Sequence, residues 1–330
     1  LRWIPDQRSL RSLVRYDDGV IMALKDRIWA SPASLFLVPL SWAYRLGGWI
    51  RARFLRPHTL SKPVICVGNA VAGGAGKTPV ALALAALFQG QGRRPALVYK
   101  GYKRTNTQTL RVDPTIHTLA DVGDEPLMVA PVAPTFVGKT RLLAAQMAAA
   151  SEADILILDD GLQNPSVAKD LSLLVIDAAY GFGNGRVLPA GPLRMTPDQA
   201  LSQADAVILL GDGPAPVTDK PLFRARLISV LPEDLKTKPL MAFAGIGRPE
   251  KFFDGVRRAG GHLVETLSFP DHHAYTPEDL DVLTRCTPSG AVRITTPKDA
   301  VRLPPGFAVP IPVHLIWEDE PGVVGFLGDL

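Results

Sequence analysis

A short apolar strand, a glycine-rich loop and a helix opening on Lys-Thr follow one another without a gap from Val64 to Phe88 (VICVGNAVAGGAGKTPVALALAALF). Few folds accommodate this order. A buried strand running into a Gly-rich turn and then a helix aims the first backbone N–H groups of that helix at the carboxyl edge of a sheet, where an anion is favoured. Within NAVAGGAGKTP, Gly73, Gly74 and Gly76 allow close backbone approach to phosphate oxygens, Lys77 can reach β and γ oxygens, and the Thr78 hydroxyl can hold Mg²⁺. Gly73, Gly74, Ala75, Gly76, Lys77, Thr78 and Pro79 are therefore read as nucleotide-binding. The usual pattern, GxxxxGK[ST], calls for glycine where Val71 stands, and the variant KGGxGK[ST] calls for lysine where Ala72 stands. The loop is a phosphate cradle with an unusual opening turn.

Beyond this unit the same texture repeats. Ala96 to Tyr99, Ile155 to Leu158, Leu171 to Ile176 and Ala206 to Leu210 are short continuous apolar runs, with a helix expected around Lys139 to Ala150. Such runs alternating with helices predict an α/β fold: a P-loop core with a mostly parallel sheet covered on both faces. Gly211 to Pro221 (GDGPAPVTDKP) reads as a linker, after which strands and helices resume from Leu240 to Trp317 as a second, smaller α/β unit. The expected organisation is an amino-terminal segment over 1–61, a core over 62–212 and the smaller domain over 213–330.

The amino-terminal segment differs in composition. Of the net charge of +4, residues 1–60 carry +6 and the rest −2, so a basic arm precedes a near-neutral body and favours an anionic surface. Ile28 to Tyr44 carries no charge but contains Pro32 and Pro39, and falls at or below the roughly 20 apolar residues that a spanning helix needs. On a helical wheel Leu40, Ala43, Ile50 and Phe54 share one side, while Arg45, Arg53 and Arg56 cluster on the other near Trp42 and Trp49. That layout suits a helix lying in a membrane interface; an amphipathic helix packed on its own domain has the same pattern. Two distant cysteines, Cys66 and Cys286, argue against a disulfide framework or a cysteine zinc site.

Carboxylates and histidines supply the remaining candidates. The run DILILDDGLQ ends at Asp159-Asp160, where side chains emerge at the carboxyl edge of the sheet and can hold Mg²⁺ or orient a nucleophile. VGDEP places Asp124 and Glu125 after a glycine, and FPDHHAY places Asp271, His272 and His273 after a strand. A carboxylate paired with an imidazole is a plausible proton acceptor for a sugar hydroxyl, the histidine tuning the carboxylate or taking up the proton. Helix capping and a turn are the structural alternatives.

Taken in order, LVPLSWAYRLGGWIRARF, VGNAVAGGAGKTP, GYKR, VGDEPL, DDGLQ, NGRVLPAGPLR, FPDHHAY and TTPKDAVRL resemble the tetraacyldisaccharide 4′-kinase family of Gram-negative bacteria. Members share the form GNxxxGGxGKT, so Val71 matches the family's own loop. The resemblance implies ATP and Mg²⁺ as cofactors and transfer of the γ-phosphate to the 4′-hydroxyl of the lipid A disaccharide 1-phosphate precursor. It implies Lys77 and Thr78 on the triphosphate, Asp124 as catalytic carboxylate paired with His272, and Asp159 and Asp160 as the essential acidic pair, with Thr78, Asp159 and Asp160 as metal ligands. Arg141 and Arg194 align with arginines near the phosphates or substrate. It further implies the cytoplasmic face of the inner membrane, reached through the amino-terminal helix, with no nucleic acid and no obligate protein partner.

Departures from the family pattern are Lys100 for arginine before Gly-Tyr, Met195 for glutamate after Leu-Arg, Leu162 and Asn164 in the DDGFQH stretch, and Pro297 in TTEKD. A different class, a metallochaperone-like GTPase switch, shares the phosphate loop. Its guanine-reading [NT]KxD stretch has only TPKD (Thr296 to Asp299) as a counterpart.

Overall fold

A computed structural model describes residues 28–101 and 104–328. Residues 1–27, which hold much of the arm's basic charge, lie outside the described residues, as do Tyr102 and Lys103 of the GYKR stretch and the side chain of Arg51. The chain divides into two compact units, one formed by 29–227 and 315–330, the other by 228–314.

The larger unit is built on nine strands: β1 (Val64–Gly68), β2 (Pro95–Tyr99), β3 (Leu110–Arg111), β4 (Thr135–Val137), β5 (Ile155–Asp159), β6 (Leu171–Asp177), β7 (Ala206–Leu210), β8 (Leu222–Ser229) and, further on in the chain, β13 (Val313–Trp317). Their order is β13-β8-β7-β6-β1-β5-β2-β4-β3. Strands β4, β2, β5, β1, β6, β7 and β8 pair in parallel, and β3 closes one edge antiparallel to β4. Gly211 to Pro221 leads into β8, which adds to this same sheet, so the larger unit continues past residue 212 and the chain returns to it through β13. Arginines 224 and 226 alternate with the apolar residues of β8 and break the run by which the other strands are legible.

Period-two alternation distributes the core. Ile65 and Val67, Leu97 and Tyr99, Ile155 and Ile157 face one side, where helix Lys77–Gly90 buries Val80, Ala81, Leu84, Ala85 and Phe88. Val64, Ala96, Val98, Leu156 and Leu158 face the other, where helix Arg141–Ala149 packs through Ala144, Ala145 and Ala148. Cys66, buried in a third cluster, carries a thiol that burial pushes up to about 11, and Cys286 is partly buried against the apolar cluster of Met241 and Phe243.

The amino-terminal arm is anchored at its base and bare beyond it. Trp29 Nε1 donates to Pro189 O (3.0 Å), Asn184 Nδ2 to Trp29 O (2.9 Å), Arg186 to Ser34 Oγ (2.7 Å) and Ser41 Oγ to Val187 O (2.7 Å). In helix Val38–Phe54 Ser41 is buried, whereas Trp42 through Ile50 are all exposed. Leu40, Trp42, Trp49 and Phe54 expose between 58% and 81% of their surface, so among the described residues nothing covers them. Both wheel faces are open, the tryptophans as much as the leucines. Among the described residues no helix is long and apolar enough to cross a membrane.

The smaller unit is a four-stranded parallel sheet of β9 (Pro239–Ala244), β10 (His262–Ser268), β11 (Val292–Thr295) and β12 (Val309–Pro310) in the order β10-β9-β11-β12. Helix Pro249–Arg258 packs Phe252, Phe253 and Val256 on one face, and helix Pro277–Cys286 packs Leu283 on the other. The chain leaves β9 toward β10 and then crosses to β11, which makes the carboxyl ends of β9 and β11 the switch point, the usual location of functional loops.

A buried carboxylate ties that edge together. Asp299, with no exposed surface, accepts hydrogen bonds from Gly245 N (3.0 Å), the Tyr275 hydroxyl (2.9 Å) and Thr296 Oγ1 (2.5 Å), and pairs with Arg302 (3.1 Å). A Cβ on Gly245 would meet Asp299 Oδ1 at 2.9 Å and Pro270 O at 3.0 Å, so only glycine admits this approach. Burial, and then the Asp299 charge, push the Tyr275 phenol far above its ordinary range. Removing the carboxylate would take the counter-charge from a buried guanidinium and the acceptor from a buried hydroxyl. Asp299→Ala is accordingly expected to lower the unfolding free energy by about 3–5 kcal/mol in urea titrations; a loss below about 1 kcal/mol would contradict this role.

Candidate active site

The phosphate loop occupies the carboxyl edge of β1, at the centre of the large sheet. Gly76 caps helix Lys77–Gly90 with φ 82°, and an added Cβ would meet Leu210 Cδ1 at 2.5 Å. Conformation and space both require glycine here. Val71, in the place of the usual first glycine, forms an antiparallel bridge with Leu193, and its carbonyl accepts from Asn69 Nδ2 (2.8 Å). Ala72 N donates to Pro192 O (2.8 Å) and Arg194 N to Ala70 O (2.8 Å). The loop thus opens as a strand-like segment laid against residues 192–194, a shape that suits a β-branched residue.

Six of the residues expected at the site converge here. Thr78 Oγ1 donates to Asp159 Oδ2 (2.8 Å). Lys77 Nζ lies 3.3 Å from Asp160 and donates to Asn69 Oδ1 (3.1 Å). Arg194 reaches both Asp160 oxygens at 3.0 Å, and Arg141 stands 3.9 Å from Asp160 while its Nε donates to Asp159 O (3.3 Å). Three cations around one carboxylate form a strongly anion-attracting edge.

The two adjacent acids differ in state. Burial opposes ionisation of Asp160, but Lys77, Arg194 and Arg141 together outweigh it and hold its carboxyl below the usual range. Asp159 is pushed up to about 6, first by burial and then by the Glu125 charge, against the opposing pull of Lys77 and the Thr78 hydrogen bond. Among the described residues Asp159 Oδ1 is buried without a hydrogen bond of standard geometry, its polar neighbour being the buried Tyr99 hydroxyl. Such a carboxylate oxygen beside a threonine hydroxyl fits a hard divalent cation, which would restore the charged form. Among the described residues no three His, Cys, Asp or Glu side chains converge as a metal cage. That suits Mg²⁺, which is commonly held by one or two carboxylates together with substrate phosphates.

Asp160 has φ 56° and His272 φ 59°; among the described residues no other non-glycine has positive φ. Each costs conformational energy that the surrounding contacts must offset, and both are site candidates on separate grounds. Asp124 is buried and opens the short helix Asp124–Val129 after Gly123, whose φ is 87°. Its Oδ1 accepts from Glu125 N (2.9 Å), which makes part of the expected capping role real.

His272 belongs to the smaller unit. Its backbone N donates to Gly245 O (3.2 Å), and its Nε2 lies 3.0 Å from Lys298 Nζ. His273 is occupied otherwise, with Nε2 2.9 Å from Asp279 Oδ2 and its ring against Phe269. The only near match to a guanine-reading stretch ends in Asp299, whose oxygens are committed to Gly245, Tyr275 and Thr296. Fully buried, it is not available to read a base.

Residues missed by sequence reasoning are polar neighbours of the motifs. Asn69 receives Lys77, and Gln163 donates to Asn69 O (3.2 Å) while accepting from Arg194 (3.4 Å). Glu125 acts on Asp159 through its charge, and the buried Tyr99 hydroxyl is raised by burial and by Asp159. Asn69 follows the end of β1 directly and Gln163 lies in the loop after β5, but neither position by itself signals the contacts it makes. Met195 is buried with Leu162, Leu193 and Ala70 in an apolar cluster, so it presents no ligand to a metal.

The family model described as "Tetraacyldisaccharide-1-P 4'-kinase" matches residues 33–324. Among similar proteins, the tetraacyldisaccharide 4'-kinase of Parvibaculum lavamentivorans is 48% identical over 280 residues, covering 82% of each chain. That of Methylobacterium nodulans is 45% identical over 312 residues, covering 88% of this chain and 91% of its own. The crystal structure of the LpxK of Aquifex aeolicus in complex with ATP superposes with a TM-score of 0.76 at 28% identity, covering 90% of this chain and 99% of that one. The phosphate loop, the paired acids and the converging arginines thus sit in a chain that belongs to the tetraacyldisaccharide 4'-kinase family.

Proposed function

We infer that this chain transfers the γ-phosphate of ATP to the 4′-hydroxyl of a tetraacylated glucosamine disaccharide 1-phosphate, the lipid A precursor. The observation that carries the reading is the convergence of Lys77, Arg141 and Arg194 on the edge where Thr78 and Asp159 meet, within a chain of this family. Phosphoryl transfer is catalysed mainly by positioning and by neutralising charge on the transferring group. Lys77 and the two arginines supply that charge, with the backbone of Gly73 to Thr78 cradling the phosphates. Thr78 and Asp159 would hold Mg²⁺, which when bound neutralises phosphate oxygens. Asp160, gripped by three cations, keeps their side chains oriented toward the edge.

Asp124 is assigned as the base, and His272 as a further catalytic residue. The acceptor 4′-oxygen attacks the γ-phosphorus, the bond to the ADP oxygen breaks, and the hydroxyl proton passes to the Asp124 carboxylate. The bare apolar helix Val38–Phe54 is assigned to the membrane interface at the cytoplasmic face of the inner membrane, where an acylated acceptor resides. Its exposed tryptophans suit headgroup level.

Three outcomes test these assignments. Purified protein given γ-labelled ATP, Mg²⁺ and detergent-dispersed disaccharide 1-phosphate should label the lipid; a folded protein that leaves it unlabelled rules the reading out. Asp124→Ala should lower turnover by at least about 10²-fold while ATP binding persists, whereas Lys77→Ala should weaken both. Undiminished turnover in Asp124→Ala would exclude it as base. The joint substitution Trp42→Gln, Trp49→Gln and Phe54→Gln should reduce partition onto phosphatidylethanolamine–phosphatidylglycerol vesicles at least about tenfold, since each removes a large apolar side chain. Unchanged partition would refute the interfacial assignment.

A further inference from the structure

We propose that Lys298 is a positioning residue that fixes the tautomer of His272, so that the imidazole acts in the reaction as a hydrogen-bond donor through Nδ1. The proposal rests on the assignment of His272 as a catalytic residue and deepens it. Lys298 follows Pro297 at the carboxyl end of β11, and His272 lies in the loop after β10, so both stand at the switch-point edge of the smaller sheet. Lys298 Nζ lies 3.0 Å from His272 Nε2 and 3.4 Å from Asp271 Oδ1, while Asp271 Oδ1 is 3.9 Å from His272 Nε2.

The chemistry of the pair leaves one arrangement. An ammonium has three donors and no acceptor, so at 3.0 Å the imidazole Nε2 must be the acceptor. A nitrogen that accepts carries no proton, and the neutral ring then bears its hydrogen on Nδ1. Asp271 supplies the opposite charge that keeps the ammonium in place, and at 3.9 Å it is too far from Nε2 to compete for it.

Both partners are held from behind. Arg302 Nε donates to Lys298 O (3.0 Å), its NH1 to His273 O (2.9 Å), and its guanidinium pairs with the buried Asp299. His272 is kept in its left-handed conformation, φ 59°, by the bond from its N to Gly245 O, and Gly245 N in turn donates to Asp299. The TTPKDAVRL and FPDHHAY stretches are thereby one device, whose output is the state of a single ring. A ring whose Nε2 accepts from Lys298 has its Nδ1–H left to offer. In the reaction it acts by donating from Nδ1.

The test joins a spectroscopic readout to kinetics. Full-length protein labelled with ¹⁵N-histidine is compared as wild type, Lys298→Met and Lys298→Arg, with His272→Ala assigning the signal. The expected spectrum shows His272 protonated on Nδ1 in wild type and in Lys298→Arg, and shifted toward Nε2–H in Lys298→Met. Over the same series kcat should fall at least about tenfold in Lys298→Met with KM for ATP unchanged, the fold-change that one charge-assisted hydrogen bond carries, and recover in Lys298→Arg. A wild-type ring protonated on Nε2, or a His272 signal unaltered by Lys298→Met, would overturn the proposal. The wild-type spectrum decides even if the methionine variant fails to fold. Full activity in His272→Ala would overturn the catalytic use of the tautomer, and with it the assignment of His272 to catalysis, while leaving the spectral result intact.

Discussion

One carboxylate in a left-handed conformation organises the phosphate-loop edge of the larger unit. Asp160 gathers Lys77 from the phosphate loop, Arg141 from the helix after β4 and Arg194 from the segment after β6, three elements far apart in the chain. Without an anion among them these cations would repel one another in a partly buried site. Its neighbour Asp159, one residue earlier and still in the strand, is left with an oxygen outside any hydrogen bond of standard geometry and a threonine hydroxyl. The strand end thereby separates two chemically identical side chains into two roles, one structural toward cations and one available to a metal.

The segment 184–194 extends this organisation outward. Its amino-terminal part holds the base of the exposed helix through Asn184, Arg186 and the Val187 carbonyl. Its carboxyl-terminal part pairs with Val71 and delivers Arg194 to Asp160. The residue that breaks the commoner phosphate-loop pattern is the one that pairs with this segment. Val71 therefore reads as a consequence of the way the loop is docked, since an extended residue in a bridge has no need of glycine's freedom.

Much of this was legible before any coordinates. Continuous apolar runs marked β1, β2, β5, β6 and β7 because burial on both faces demands them. Strand β8 escaped notice because Arg224 and Arg226 interrupt its pattern, and the Pro- and Gly-rich stretch before it invited a domain boundary too early. Lys77, Thr78, Asp159 and Asp160 were legible because a strand followed by a loop fixes where their side chains emerge. Asn69, Gln163 and Lys298 were not, because their roles are set by partners 8, 31 and 26 residues away, and no local spacing encodes such contacts. Nor does any one-dimensional pattern state that an aspartate in a TPKD stretch will be fully buried.

The account stands on the claim that phosphate is delivered to one particular hydroxyl of an acylated disaccharide. The most direct measurement is ³¹P NMR of the product isolated after the chain has acted on tetraacyldisaccharide 1-phosphate with ATP and Mg²⁺. The account predicts a second monoester resonance, coupled to the proton at the 4′ carbon, beside the unchanged signal at position 1. A diphosphate at position 1, or a new ester on any other hydroxyl, would contradict it.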